Sequence, residues 1–203
     1  MDSMRSDYQR GPMDVEICVD SFSSVKAAAE GGASRFELCS ALCLGGLTPS
    51  AGLLKLAKKN FPNIPSYCLI RSRCGDFVFN DDDMVLMLED LKILNSYGAD
   101  GFAFGALTPE GQLDEAKCGQ ILDAARPVPV TLNRAFDYTI DWKLTVDTAV
   151  KLGFDGILTS GLAATAKDGA TKLKEIVAYS NNRIAIMAGN LTLFNRAQFL
   201  NCA

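Results

Sequence analysis

The chain contains no histidine in its 203 residues. Imidazole is therefore excluded as a general base, a general acid or a metal ligand, and any metal centre must be built from thiolates, carboxylates or both. The seven cysteines are odd in number and irregular in spacing, and no Cys-x-x-Cys pair occurs, which argues against a disulfide framework and a zinc finger. No apolar run approaches the length of a membrane span. The net charge is −4 and no long basic run occurs, so neither nucleic acid nor a membrane is expected as a partner. Residues 1–12 are polar and lack the apolar middle of a secretory signal. These absences predict a cytosolic protein, with 1–12 as a flexible leader and 13–203 as one domain.

What is present is a strand-and-helix alternation. From Met13 to Asp20 the pattern places Val15, Ile17 and Val19 on one face and Glu16, Cys18 and Asp20 on the other. A helix follows over 25–30, capped from Ser21–Ser24 and stopped at Gly31-Gly32. The next strand, Arg35–Cys39, turns Phe36 and Leu38 one way and Arg35, Glu37 and Cys39 the other; it leads to Gly45-Gly46 and to Thr48-Pro49-Ser50, a helix start. Further strands are expected at 66–71, 102–104, 130–134, 157–159 and 184–187, with helices at 53–60, 84–97, 115–125, 143–152 and 172–179. Three segments repeat one another: Gly32-Ala-Ser-Arg-Phe36, Gly98-Ala-Asp-Gly-Phe102 and Gly153-Phe-Asp-Gly-Ile157. Each closes a helix with glycine and opens a strand.

Strict alternation calls for a parallel sheet with right-handed crossovers. Strands of a doubly wound sheet read as apolar on both faces, whereas the first two here carry Glu, Cys and Asp on one face. No Gly-x-Gly-x-x-Gly follows the first strand either. The expected architecture is α/β, a TIM-type β/α barrel of seven strands without its eighth βα unit.

The polar segments resemble the CutC copper homeostasis family. They include Glu16-Ile-Cys-Val-Asp20, Gly31-Gly-Ala-Ser-Arg35, Glu37-Leu-Cys39, Gly45-Gly-Leu-Thr-Pro-Ser50, Arg71-Ser-Arg-Cys-Gly-Asp-Phe77, Gly98-Ala-Asp-Gly101, Arg134-Ala-Phe-Asp137 and Leu158-Thr-Ser-Gly161. The resemblance runs from Met13 to about Gly189 in order and spacing, and it implies an oligomeric TIM-type barrel linked to copper handling. Ser72 and Cys74 stand where the family has a proline and a glycine, Asn133 stands where it has histidine, and the turn at Ala188-Gly189-Asn190 is shortened. The family also continues through an eighth strand and helix, so a shortened and inactive form is one reading of this chain.

The resemblance and the strand pattern both point to Cys18 and Cys39 as ligands of Cu(I), a soft ion that prefers few sulfur donors. Neighbouring strands would put their backbones about 4.8 Å apart. The bland alternative is that two small side chains fill the barrel interior. Glu16, Asp20, Glu37, Asp76 and Asp137 oppose Arg71, Arg73 and Arg134. One reading is an enzyme acting on a small anionic ligand, held by Arg71, Arg73, Asp76, Asn133, Arg134 and Ser160, with Glu16, Glu37 or Asp137 as acid or base. The other is a structural ion-pair network at the barrel mouth. Cys43, Cys68, Cys74, Cys118 and Cys202 carry weaker claims, and Asp81–Asp83 reads as helix capping rather than a hard-metal site. An uncovered sheet edge would favour a homo-oligomer.

Overall fold

The computed structural model describes residues 14–191. The expected leader, Met13, Cys202 and everything after Leu191 lie outside the described residues. Seven strands are expected, and seven are found among the described residues, paired in parallel and in sequence order: β1 (Glu16–Val19), β2 (Arg35–Leu38), β3 (Ser66–Leu69), β4 (Gly101–Phe104), β5 (Val130–Leu132), β6 (Gly156–Thr159) and β7 (Ala185–Ala188). Six helices alternate with them: α1 (Phe22–Glu30), α2 (Ala51–Asn60), α3 (Asp81–Ser96), α4 (Glu115–Ala125), α5 (Trp142–Leu152) and α6 (Ala170–Ser180). No described helix is long and apolar enough to cross a membrane.

Capping accounts for most helix starts. Ser21 and Asn80 form capping boxes with Ser24 and Asp83, Ser50 and Asp114 each accept one first-turn N–H, and Asp141 accepts two. Asp81–Asp83 occupy the first turn of α3, where the helix dipole favours negative charge. The threefold repeat has a physical basis. Gly32, Gly98 and Gly153 all take positive φ as each helix ends. Two residues later, Ser34 Oγ, Asp100 Oδ2 and Asp155 Oδ2 accept the backbone N–H of Val15, Ser66 and Val130, at 3.1, 2.8 and 2.8 Å. Each repeat thus ties an even strand back to the start of the odd strand before it.

Two faces separate cleanly. Phe36, Leu38, Cys68, Phe102, Phe104, Val130, Leu132 and Ile157 join the large core shared with the helices. Cys39, Leu69 and Ala103 form a separate small cluster on the other face of the sheet. That inner face is polar on β1 and β2, and on β4 it carries the small residues Gly101 and Ala103, Gly101 leaving no room for a Cβ beneath the Tyr67 ring. Cys18, Glu37, Tyr67 and Gly101 lie level in one continuous row across β1–β4.

The sheet is strongly curled. Arg35 on β2 places Nη2 3.5 Å from Met187 Sδ on β7, whereas five strand spacings in a flat sheet would separate them by about 24 Å. Among the described residues β1 and β7 do not pair with each other, so the result is a curled half-barrel. The outer side of the β1 edge borders a groove of about 430 Å³ lined by Val15, Ile17, Ala27, Ala28, Gly31 and Ala33.

Candidate functional site

On β1, Glu16 and Cys18 point inward; on β2, Arg35, Glu37 and Cys39 do. Strand parity therefore brings the two expected cysteines to one side. Their pairing differs from expectation. Glu37, not Cys39, is the cross-strand partner of Cys18, and Cys39 lies one diagonal step further along β2. Lateral spacing and two residues of rise place their backbones roughly 8 Å apart instead of 4.8. Parity fixes the side a residue faces but not the offset between two strands, which only the register reveals.

Glu37 sits between the two sulfurs. Cys18 Sγ donates to Glu37 Oε2 at 2.7 Å, and Cys39 Sγ lies 3.7 Å from the Glu37 carbonyl. Burial in the lumen, with the Glu16 carboxylate adding to it, pushes Glu37 up to about 7. Burial also raises both thiols, and the neighbouring Glu37 charge raises them further. Both sulfurs are therefore held protonated at neutral pH. Among the described residues no group of three or more Cys, Asp or Glu is placed to hold a metal ion. The two residues differ in exposure: Cys18, on the open edge strand, is exposed as a residue while its thiol turns inward to Glu37, whereas Cys39 is only 1% exposed.

Glu16 is not free for acid–base work. Arg35 Nε bonds its Oε2, and the Arg35 guanidinium also lies 4.1 Å above the Tyr67 ring. Burial raises Glu16 while Arg35 pulls it back down. Arg35, Tyr67 and Met187 were not among the expected site residues. The inward parity of Arg35 was visible in the sequence, but its reach to β3 and β7 depends on the curl.

The arginines do not converge. Arg73 turns outward to Asp76 and Asp83, each at 3.0 Å, and pins its loop to the start of α3. Arg134 does not continue β5; it opens a 3-10 turn over Arg134–Tyr138, because Asn133 Oδ1 caps the Ala135 N–H at 2.9 Å. Its Nε and Nη2 reach Asp137 Oδ2 at 3.0 Å and Ser160 Oγ at 2.8 Å. Asp137 also accepts from Thr159 Oγ1, the Ser160 and Leu162 N–H groups and Ser160 Oγ, which occupies the carboxylate on all sides. Asp20 takes the Leu42 N–H at 3.3 Å.

Arg71 is different. It is 5% exposed and bonds no carboxylate. Nη1 reaches the Gly45 and Gly46 carbonyls at 3.4 and 3.3 Å, Nη2 the Gly75 carbonyl at 2.7 Å, and the guanidinium stacks 4.5 Å from the Phe77 ring. Its buried Nε has no partner. Desolvation lowers its pKa.

A curled parallel sheet with helices outside and a thiol–carboxylate cluster on its inner wall defines an α/β protein of the TIM-barrel type. Comparison with known proteins narrows this. The CutC family model matches residues 13–200, and the chain belongs to the CutC family. A Caenorhabditis elegans protein named copper homeostasis protein cutC homolog is 46% identical over 175 residues, covering 86% of this chain and 70% of its own length. The Homo sapiens homolog of the same name is 42% identical over 175 residues, and 64% of its length is matched. This chain thus spans about two thirds of these relatives. The crystal structure of a CutC protein from Streptococcus agalactiae superposes with a TM-score of 0.86 at 32% identity, covering 93% of each chain.

Proposed function

We propose that this chain serves copper homeostasis by binding Cu(I) through Cys18 and Cys39 in the cytosol, with the ion as cargo. The observation that carries the reading is the pair of inward thiols on adjacent strands flanking one buried carboxylate. Two sulfurs suit a soft, low-coordinate ion, and the single carboxylate beside them falls short of the several oxygens that hard cations need. The names of the worm and human relatives support the same reading. Loading replaces two S–H bonds by sulfur–copper bonds and releases the protons; Glu37, hydrogen-bonded to Cys18, is placed to receive the first. Anaerobic titration with Cu(I) in the presence of a chromogenic chelator tests this. Stoichiometric uptake is expected, with near-complete loss in the Cys18→Ser, Cys39→Ser double variant; equal uptake by both proteins would refute it.

A second reading, an enzyme acting on a small anion, is favoured by one observation: the Arg71 guanidinium is buried with no carboxylate beside it. A thermal-shift screen of carboxylated and phosphorylated compounds tests that reading, with stabilisation lost in Arg71→Met as the expected sign.

A further inference from the structure

The copper reading leaves one sulfur sealed. Cys39 lies beneath the loop between Ser40 and Leu47, and a Cβ placed on Gly46 would stand 3.6 Å from its sulfur and 2.9 Å from Leu69 Cδ2. Leu42, from the same loop, packs onto the Cys39, Leu69 and Ala103 cluster. The loop is firm at its neck and weak at its tip. At the neck, Ser40 and Leu47 exchange two backbone hydrogen bonds of 2.8 Å. At the tip, the bonds to the rest of the described residues are the 3.3 Å contact from Leu42 N–H to Asp20 and the 3.3 and 3.4 Å contacts from Arg71 to Gly46 and Gly45. Left-handed backbone at Ala41, Gly45 and Gly46 brackets that tip. A compact loop with its ends joined and its tip lightly held can move as a unit.

Arg71 is anchored independently of the loop. Its backbone exchanges hydrogen bonds with Thr48, and its Nη2 holds the Gly75 carbonyl while the guanidinium rests on Phe77. Nη1 reaches the two glycine carbonyls of the tip, and Nε has no partner among the described residues.

We propose that residues 41–46 form a hinged cover over Cys39 and that Arg71 is the latch that holds it shut. In its biological role the inference rests on the copper reading: an ion meets Cys18 at the open edge first and gains the second sulfur when the cover lifts. Arg71 is then a positioning residue that sets the rate of loading rather than a ligand.

The test needs no copper. The full chain is alkylated with iodoacetamide, and the rate at each cysteine is read by peptide mass spectrometry. Cys68 and Cys118, fully buried between sheet and helices, report global opening. Arg71→Met is expected to speed Cys39 alkylation at least about tenfold, the effect of losing one charge-assisted hydrogen bond from the closed state, with Cys68 and Cys118 unchanged. Gly46→Ala should give the same selective rise, because its Cβ would press on Leu69 and its φ of +86° is strained for alanine; it decides the matter if Arg71→Met does not fold. An unchanged Cys39 rate, or one rising only in step with Cys68, would overturn the proposal. A chain that labels as expected but takes up no Cu(I) would refute the copper reading and leave the cover standing.

Discussion

Cys18 donates its thiol proton to Glu37 at 2.7 Å, so the carboxylate, rather than the second thiol, is its cross-strand partner. This places an acid raised to about 7 at the centre of the thiol pair.

Stability should therefore fall as pH rises through Glu37. Its folded pKa of about 7 lies above the ordinary 4.5, so between those values the native state holds a proton that the unfolded chain has lost. The contribution is complete below pH 4.5 and gone above 7, with a slope of at most about 1.4 kcal/mol per pH unit. Glu16 is shifted in the same direction and adds background of the same sign. Urea unfolding of wild type and Glu37→Gln across this window should show a flatter profile for the variant; parallel profiles would refute the assignment.

Copper loading should show the opposite trend. Both thiols are raised by burial and must shed protons, so apparent Cu(I) affinity is expected to climb with pH by about one to two decades per unit. Chelator competition between pH 6.5 and 8.5, roughly the neutral range, measures the slope, and a flat profile would exclude thiol ligation.

Arg35 ties together β1, β2, β3 and β7 from inside. Arg35→Met strands Glu16, whose side chain is 9% exposed, and is expected to cost about 3 kcal/mol. Adding Glu16→Gln should recover part of that loss in a double-variant cycle. Additive effects would mean that the ion pair is not the reason.

Asp137 accepts from Arg134, Thr159, Ser160 and Leu162 and so fastens the segment after β6 to the turn after β5. Asp137→Asn turns one acceptor into a donor facing donors, and a loss of about 2 kcal/mol is expected by chemical denaturation. An unperturbed midpoint would free Asp137 for an acid–base role.

The edge of β1 also makes a prediction about assembly. The Val15 and Val19 carbonyls accept from β2, so by alternation the backbone groups of Glu16 and Cys18 point away from the sheet beside the apolar groove. Self-association of the purified chain is expected in sedimentation velocity, and a compact monomer at all concentrations would count against it.

Much of the site was legible in residue order. Period-two alternation alone placed Glu16, Cys18, Glu37 and Cys39 on one wall, because successive side chains of a strand must face opposite sides. The repeat of glycine followed two residues later by Ser or Asp announced three equivalent turns, and polar residues on one face of the first strands distinguished a curled sheet from a flat one. The expectation that Arg71, Arg73 and Arg134 share a ligand had only loop sequence behind it. Loops carry no periodicity, so nothing in residue order indicated that Arg73 would turn to α3 or Arg134 to Ser160.

Sequence by itself determined the fold class, the element order and the side of the sheet each residue faces, since these follow from local sterics and hydrophobic period. Tertiary structure alone decided the offset between β1 and β2, the closure of loop 41–46 over Cys39 and the reach of Arg35 to β7. Those depend on distances between segments far apart in the chain, which are set by packing and curvature rather than by any local preference.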